Sequence, residues 1–198
     1  MIPLLATLIF VVAYLPFEVS FAAEVQCDEC HSIKSKPSSV LAAPYLAGQH
    51  PDYIVRQFER FAAGDQGQSN SRSDQTMSAV AHALPRDELR QIANALSAQE
   101  CVNLGNDALA ALAPNPCASC HGPRGLSSKP GVPNLAGQNM RYLFAQYQKF
   151  REQYSKSFPV ENLKSDESRR HPVMGPIAAA VSDNVVTILN YYSKLPCR

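Results

Sequence analysis

Two copies of one short cysteine motif constrain this chain more than any other feature of its 198 residues. The pattern C-x-x-C-H occurs at Cys27–His31 and, 90 residues later, at Cys117–His121. Two cysteines at this spacing can form thioethers to one porphyrin while the following histidine binds the iron, so the pattern is the attachment signature of a c-type haem. A single copy could also belong to a thioredoxin-like dithiol or to half of a zinc site. The repetition favours two haem sites, with thioethers from Cys27, Cys30, Cys117 and Cys120 and proximal ligands from His31 and His121.

A second repeat indicates that more than the cysteine motif is duplicated. The segment Ala43–Gln49 recurs as Val132–Gln138, and the offset of 89 residues continues through the aromatic positions that follow. Internal repetition of this kind predicts two copies of one domain rather than one domain with two sites. We therefore expect a signal peptide or anchor over residues 1–22, a first domain over 23–101 and a second domain over 102–198.

Helical periodicity dominates both copies. Apolar side chains recur at helical spacing, and no convincing alternation typical of a β-strand is present. The predicted helices cover residues 53–61, 85–97, 103–112, 139–153 and 182–193, the last with Ser182 as its N-cap. The sequence thus predicts an all-α fold built from two tandem domains.

Two methionines are candidates for the remaining axial position on each iron. A haem that only transfers electrons needs both axial positions filled, and a thioether sulfur raises its reduction potential. Met77 and Met174 precede the last predicted helix of their respective copies, so we predict that they bind opposite His31 and His121. His82 is a rival ligand for the first iron, but the second copy has no histidine at the equivalent position.

Two prolines, Pro44 and Pro133, occupy equivalent positions in the repeat. We expect the backbone carbonyl of each to lie near the proximal imidazole and to accept its second N–H. Such a bond fixes the tautomer of a metal-binding histidine and makes the ligand more basic. A rigid turn in the loop is a further role, and it is compatible with this one.

Two of the six cysteines lie outside the haem motifs, Cys101 and Cys197, each at the end of a predicted helix. In an oxidising compartment two leftover thiols tend to pair. Because each copy contains one of them, an intrachain disulfide would have to join the two domains. Two free thiols, or a bridge to another chain, are the alternatives.

The N-terminus predicts export. The apolar run over residues 1–16 is short and interrupted by proline for a membrane span, which needs about 20 residues. Ser20 and Ala22 then provide the small residues of a signal-peptide cleavage site. We expect a cleaved signal peptide, with an uncleaved N-terminal anchor as the alternative. Both place the rest of the chain in the periplasm, soluble or loosely associated with the membrane.

Charge is distributed unevenly along the chain. Residues 23–101 hold seven Lys/Arg against ten Asp/Glu, a net charge of −3, whereas residues 102–198 hold eleven against six, a net charge of +5. Such asymmetry orients encounters with charged partners, although an ordinary solvated surface explains it equally well. The basic residues are dispersed and lack interleaved aromatics, so no nucleic-acid partner is expected.

These residues together resemble the dihaem cytochrome c4 family, which consists of two class I cytochrome c domains. The resemblance implies an all-α fold in which each domain wraps one covalently bound haem c, the two domains being related by a pseudo-two-fold axis. It also implies that His31 and Met77 bind one iron and that His121 and Met174 bind the other. It rests on C-x-x-C-H-G-P-R-G at 117–125, P-N-L-A-G-Q at 133–138 and H-P-V-M at 171–174, with weaker equivalents at 27–31, 44–49 and Met77.

The first copy departs from the family pattern. Ser32 follows its haem motif where the second copy has Gly122. Near the end of its last helix, Leu96 stands where the second copy has Tyr192. These differences argue against equal reduction potentials at the two haems.

The resemblance implies an electron carrier and not an enzyme, with one electron carried per haem. Its partners would be redox proteins: a cytochrome bc-type complex, a haem-copper oxidase or a dehydrogenase. The alternative is the electron-accepting cytochrome subunit of a dehydrogenase complex, such as a flavocytochrome c sulfide dehydrogenase. A haem enzyme with an open sixth position is disfavoured, because Met77 and Met174 would fill both axial positions.

Overall fold

The computed structural model describes residues 27–31, 42–64, 72–101, 116–154, 169–181 and 183–197. Within these ranges the chain is helical, and the β-type pairing consists of one isolated bridge between Arg72 and Arg169. The prediction of a helical fold without strands is therefore confirmed for this part of the chain. The predicted signal peptide and the predicted helix over 103–112 lie outside the described residues.

The helices fall into two series with the same order. The first consists of the 3-10 helix Cys27–Glu29 and of α1 (Pro51–Ala63), α2 (Gln75–Ala83) and α3 (Arg86–Ala98). The second consists of α4 (Ala118–His121), α5 (Met140–Tyr154), α6 (Met174–Ala180) and α7 (Val185–Lys194). In each series the long helix packs against the two that follow it, α1 against α2 and α3, and α5 against α6 and α7. None of these described helices is both long and apolar enough to cross a membrane.

Helix α1 illustrates how the sequence specifies these elements. Pro51 is favourable in a first turn, and Ile54, Phe58 and Phe61 recur on one face and are buried. Burial of each of these side chains contributes roughly 1.5–3 kcal/mol. Gly64 ends the helix at a φ of 66°, where other residues are strained. The equivalent face of α5 buries Leu143, Tyr147 and Phe150.

Helix α7 begins later than the sequence predicts. Its N-cap position is held by Asn184, at a φ of 64°, and Ser182 lies outside the described residues. Asparagine tolerates left-handed backbone geometry better than most residues, which allows the chain to turn into the helix at this point. The helix then buries Leu189 and Tyr192 against the rest of the second series.

The repeated loop segments Ala43–Gln49 and Val132–Gln138 contact each other between the two halves. The Gln49 side chain accepts a hydrogen bond from the Asn134 N–H at 2.8 Å and donates to the Asn134 carbonyl at 3.0 Å. The Gln138 side chain makes the same two bonds with the backbone of Tyr45, at 2.7 Å and 2.9 Å. Because Tyr45 and Asn134 are equivalent positions in the repeat, the bonds are exchanged between the halves, as a pseudo-two-fold axis requires.

A disulfide also joins the two halves. Cys101 and Cys197 are bonded, with their Cα atoms 6.2 Å apart. Cys197 is buried in a cluster with Tyr192 and Leu195, so the bond is packed against the apolar interior. Of the alternatives that the sequence leaves open for these two thiols, the structure therefore contains the intrachain disulfide.

Candidate haem-binding sites

Each C-x-x-C-H motif forms one helical turn. The His31 N–H donates to the Cys27 carbonyl at 2.9 Å, and the His121 N–H donates to the Cys117 carbonyl at 2.9 Å. Residues three and four positions apart are neighbours on one side of such a turn. Each motif therefore presents its two cysteines and its histidine on the same side, as thioether attachment and axial ligation by a single haem require.

A proline carbonyl orients each motif histidine. Nδ1 of His31 lies 2.8 Å from the Pro44 oxygen, and Nδ1 of His121 lies 2.8 Å from the Pro133 oxygen. A carbonyl can only accept, so Nδ1 carries the proton and Nε2 keeps its lone pair for a metal ion. Both rings are buried, and burial lowers the pKa of each histidine, which favours this neutral form.

The second motif faces a large apolar cavity. About 990 Å³ between its walls, open solvent included, is free of protein atoms. His121 and Met174 both line this cavity, together with Cys117. An imidazole, a thioether and apolar walls match the donor set and the surroundings of a covalently bound haem. The apolar walls include Leu135, Leu143, Tyr147, Phe150, Ile177, Ala178, Val185 and Leu189.

A smaller cavity lies at the first motif, where about 420 Å³ between the walls, open solvent included, is free of protein atoms. His31 and Met77 both line it, and Cys27 packs against the same apolar cluster as Met77. The donor set is the one found at the second motif, so these residues also fit a haem. The apolar walls here are Leu46, Ile54, Phe58 and Phe61.

The two candidate methionines lie at the starts of equivalent helices. Met77 is in the first turn of α2, where its N–H donates to Asp74 Oδ1 at 3.0 Å. Met174 is the first residue of α6, and its N–H donates to His171 Nδ1 at 3.2 Å. Burial and nearby arginines lower the pKa of His171 to about 4, so the neutral ring keeps its acceptor nitrogen. In both halves, the side chain of the residue three positions earlier thus accepts a hydrogen bond from the backbone N–H of the methionine.

The other sequence candidates lie elsewhere. His82, the rival ligand for the first iron, is exposed on α2 and lines neither cavity. Met140, at the start of α5, packs against the apolar cluster of the second half and also lines neither cavity. Among the methionines that the structure describes, Met77 and Met174 are therefore the ones that share a cavity with a motif histidine.

The loop after the second motif packs tightly against α7. A Cβ at Gly125 would lie 2.6 Å from Tyr192 Cδ1 and 2.8 Å from the Ala136 nitrogen, so a larger residue does not fit. The Tyr192 hydroxyl donates to the Gly122 carbonyl at 3.3 Å. In the first half, Leu96 stands at the position of Tyr192 and has no hydroxyl. The second loop is therefore held by a bond that the first half cannot make at this position.

Two buried arginines, which the sequence analysis did not single out, lie between the halves. Arg72 donates to Gln57 Oε1 at 2.7 Å and to the Tyr142 hydroxyl at 3.2 Å. Arg169 donates to the Tyr53 hydroxyl at 3.0 Å and to the Tyr142 hydroxyl at 3.4 Å. Each arginine thus contacts a tyrosine of the opposite half. We refer to Arg72, Arg169, Tyr53 and Tyr142 as the arginine–tyrosine cluster.

The arginine–tyrosine cluster follows the internal repeat. Arg72 and Arg169 each precede a candidate methionine by five residues, so the spacing R-x-x-x-x-M common to both copies is the sequence signal that could have identified them. Each guanidinium also lies over an aromatic ring, 4.2 Å from the Phe61 centroid for Arg72 and 4.4 Å from the Phe150 centroid for Arg169. Such stacking adds a cation–π attraction to the hydrogen bonds.

The two guanidiniums act strongly on Tyr142. Burial alone would raise the pKa of this phenol, but Arg72 and Arg169 outweigh burial and lower the pKa of Tyr142 to about 7. The pKa of Tyr53 is raised, by burial first and by the neighbouring Tyr142 second. The cluster is therefore a positively charged environment that stabilises negative charge.

The sequence is similar to a cytochrome c family model and to an electron-acceptor protein. Residues 108–191 match the cytochrome c family model. Over 187 residues, the chain is 29% identical to the thiosulfate dehydrogenase electron acceptor of Stutzerimonas stutzeri strain A1501, a match that covers 86% of this chain and 78% of that protein.

Solved structures with similar folds include a cytochrome c4 and an enzyme. Cytochrome c4 of Acidithiobacillus ferrooxidans has a TM-score of 0.63 at 23% identity, over 85% of this chain and 98% of its own. Thiosulfate dehydrogenase of Marichromatium purpuratum has a TM-score of 0.64 at 27% identity, over 86% of this chain but 36% of its own longer chain. The chain thus has the two-domain, all-α fold of cytochrome c4, and the match of residues 108–191 to the cytochrome c family model supports covalently bound haem c and electron transfer.

Proposed function

We propose that this chain is an exported electron carrier with two haems, one in residues 23–101 and one in residues 102–198. The observation that carries the proposal is the duplicated arrangement, in which a buried histidine held by a proline carbonyl shares a cavity with a methionine. The thioether donors are Cys27, Cys30, Cys117 and Cys120, and the axial pairs are His31 with Met77 and His121 with Met174.

The residues of the chain prepare each site for electron transfer and not for substrate chemistry. A bound haem supplies one-electron chemistry through its iron. Pro44 and Pro133 fix the tautomers of the proximal histidines, which directs Nε2 of each ring to the metal. The thioethers of Met77 and Met174 would also bind the iron and raise its reduction potential, and the apolar walls would exclude water.

We further propose that a dehydrogenase of the thiosulfate-oxidising kind donates the electrons. Two similar proteins support this proposal: the Stutzerimonas stutzeri relative is named as the electron acceptor of thiosulfate dehydrogenase, and a region of the Marichromatium purpuratum enzyme shares this fold. The catalytic site then lies on the partner, and this chain accepts electrons from it one at a time. The opposite net charges of the two halves provide a means of orienting the encounter.

A second candidate is a carrier between respiratory complexes, from a cytochrome bc-type complex to a haem-copper oxidase. The match to cytochrome c4 of Acidithiobacillus ferrooxidans over 98% of that protein's length supports it. Both candidates require the periplasmic location that the apolar N-terminal segment suggests, and both use the same two haem sites.

The experiment that tests these proposals begins with the exported protein expressed in a host that attaches c-type haem. Intact mass should give two haems per chain, and spectra of the oxidised protein should show low-spin histidine–methionine iron at both. Stopped-flow reduction by thiosulfate dehydrogenase with thiosulfate is then compared with reduction by a cytochrome bc-type complex. A single haem, or high-spin iron, would refute the two-haem carrier; reduction by the bc-type complex alone would refute the dehydrogenase partner.

A further inference from the structure

Two buried glutamines, Gln49 and Gln138, reach from one half of the chain to the backbone of the other. They are only 5% and 6% exposed. Gln138 Oε1 accepts from the Tyr45 N–H at 2.7 Å, and Gln138 Nε2 donates to the Tyr45 carbonyl at 2.9 Å. Gln49 makes the same two bonds with Asn134, at 2.8 Å and 3.0 Å. Each glutamine therefore binds both backbone polar groups of one residue in the opposite half.

The orientation of each side-chain amide is fixed by its partners. Oε1 of each glutamine also accepts the N–H of the next residue, His50 after Gln49 and Asn139 after Gln138, at 2.9 Å in both cases. A backbone N–H can only donate, so a reversed amide would place its own NH2 group against two donors. Each carboxamide oxygen is therefore held toward the opposite half, with both of its lone pairs used.

The peptide group that Gln138 binds is the one that orients His31. The Pro44 carbonyl and the Tyr45 N–H belong to one peptide group, and in a trans peptide they point in opposite directions. The carbonyl lies 2.8 Å from His31 Nδ1, and the N–H donates to Gln138. One peptide group of the first half thus connects its motif histidine to a glutamine of the second half.

The second half repeats this arrangement. The Pro133 carbonyl lies 2.8 Å from His121 Nδ1, and the Asn134 N–H of the same peptide group donates to Gln49. Each motif histidine is therefore linked, through one peptide group, to a glutamine of the opposite half.

A hydrogen bond at one end of a peptide group strengthens the bond at the other end. Bonds in such a chain polarise one another, by about 10–30% per bond. A peptide that donates through its N–H has a more negative carbonyl oxygen, which is a better acceptor for the Nδ1–H of the histidine. A stronger bond at Nδ1 makes the imidazole a more basic ligand, and a more basic ligand favours oxidised iron.

We propose that Gln49 and Gln138 are positioning residues, each of which lowers the reduction potential of the haem in the opposite half. Gln138 acts on the haem bound by His31, and Gln49 acts on the haem bound by His121. The effect passes through the intervening peptide group to the histidine ring. The inference rests on the proposed two-haem function.

The location of the two glutamines distinguishes this effect from a local one. Gln49 and Gln138 both line the second cavity, and the described walls of the first cavity include neither. A change in the cavity wall would therefore act on the second haem in both variants. The proposed effect is crossed, because removal of Gln138 acts on the first haem and removal of Gln49 acts on the second.

Redox titration of the holoprotein tests the crossed pattern. We expect Gln138→Leu to raise the potential of the first haem by about threefold in the reduction equilibrium, or about 28 mV, since tenfold is about 59 mV for one electron. Gln49→Leu should raise the potential of the second haem by a similar amount. In each variant the other haem should shift by less. A larger shift at the second haem than at the first in Gln138→Leu would overturn the proposal.

Asn139→Ser is the matched control for loosening of the loop. Asn139 Nδ2 donates to the Ala43 carbonyl at 3.0 Å, so this side chain also joins the second half to the first loop. The bond lies outside the Pro44–Tyr45 peptide group, and a serine can still cap the start of α5. The control should leave the first potential close to the wild type. Equal shifts in Asn139→Ser and Gln138→Leu would contradict a role for the peptide bond to Gln138.

A second measurement reports on the histidine bond itself. Nuclear magnetic resonance of the reduced holoprotein with ¹⁵N-labelled histidine follows the Nδ1–H of His31 and of His121. A weaker hydrogen bond moves this proton upfield and speeds its exchange with deuterium. We expect both changes at His31 in Gln138→Leu and at His121 in Gln49→Leu. An unchanged His31 Nδ1–H resonance in Gln138→Leu would overturn the proposal, whatever the potential does.

A third variant keeps the test informative if a leucine variant does not fold. Gln138→Glu keeps an oxygen that accepts from the Tyr45 N–H, so the His31 Nδ1–H resonance should stay at its wild-type position or move downfield. An upfield shift would contradict the proposal. Haem content is measured first, so one haem per chain in the wild type would refute the two-haem function separately from the role of the glutamines.

Discussion

At the scale of single residues, the position of the proton on each motif histidine decides which ring nitrogen can bind a metal ion. The backbone carbonyls of Pro44 and Pro133 accept a hydrogen bond from that Nδ1–H, and the nitrogen–oxygen distance is 2.8 Å in both cases. A carbonyl fixes the tautomer without adding a charge, whereas a carboxylate in the same place would favour oxidised iron. In the proposed haem sites, both histidines are thus oriented without a carboxylate that would lower the reduction potential.

Replacement of Met174 by alanine tests the assignment of the sixth ligand. We expect Met174→Ala to lose the methionine-ligated spectrum at one haem, to bind added imidazole or cyanide there, and to lower that potential only. Met140→Ala is the matched control, because Met140 lies in the same half and packs without lining the cavity. If both haems of Met174→Ala keep the wild-type spectrum, the ligand assignment is wrong.

Gly125, in the loop after the second motif, should tolerate replacement by a larger residue poorly. Gly125→Ala would force a Cβ to 2.6 Å from the Tyr192 ring at a φ of 70°. Overpacking of this kind costs about 1–3 kcal/mol, in addition to backbone strain. Gly64→Ala provides the comparison, because its φ is 66° but nothing lies within 4 Å of the added Cβ. Urea unfolding should show the larger loss for Gly125→Ala; equal losses would mean that the loop relaxes around the methyl group.

At the scale of elements, the helices α2 and α6 present the candidate ligands. Each begins within three residues of its methionine, and a side-chain acceptor satisfies the N–H of that methionine at the helix start. The first half uses the Asp74 carboxylate and the second uses the neutral ring of His171. Helix starts leave backbone N–H groups without intrahelical partners, so these acceptors stabilise the turn that holds each thioether in place.

The acceptor in the first half can be tested by Asp74→Ala. Loss of this cap should destabilise the holoprotein by about 0.5–2 kcal/mol, measured by urea unfolding. The methionine-ligated spectrum of the first haem should also weaken at a lower temperature than in the wild type. Asp87→Ala removes an exposed carboxylate from the first turn of α3 and should cost less than about 1 kcal/mol. Identical behaviour of the two variants would show that the bond to Met77 contributes nothing specific.

At the scale of the whole molecule, the two halves are joined by contacts that the internal repeat makes in pairs. Gln49 and Gln138 each hydrogen-bond the backbone of the other half. The crossed bonds of the arginine–tyrosine cluster and the Cys101–Cys197 disulfide add to these. The halves are therefore linked by polar and covalent contacts that fix their relative position.

The disulfide should contribute substantially to the stability of the whole chain. It links residues 96 positions apart, and closing a loop of that length stabilises by about 2–5 kcal/mol, chiefly through the unfolded state. We expect the double variant Cys101→Ser/Cys197→Ser to unfold at lower urea, by an amount that reduction of the wild type reproduces. Reduction of the double variant should have no further effect, since the thioethers to haem are not disulfides. A variant as stable as the oxidised wild type would contradict this expectation.

The sequence by itself determined what depends on neighbours along the chain. Local geometry and periodicity explain the helical turn of Cys27–His31, the start of α1 at Pro51 and its end at Gly64, and the order of the helices. The start of α7 differs from the predicted one, because Asn184 adopts a left-handed conformation and holds the N-cap position.

The tertiary structure decided what the repeated residues contact. The repeat identifies Gln49 and Gln138 as equivalent residues, and likewise Arg72 and Arg169. It does not identify the atoms that these side chains contact, because those atoms belong to the opposite half of the chain. A repeat can show that two residues have the same role, whereas a buried charge or amide acquires its role from the groups that surround it. Those groups are brought together only when the two halves pack, and for this reason the contacts between the halves could not be predicted from the sequence.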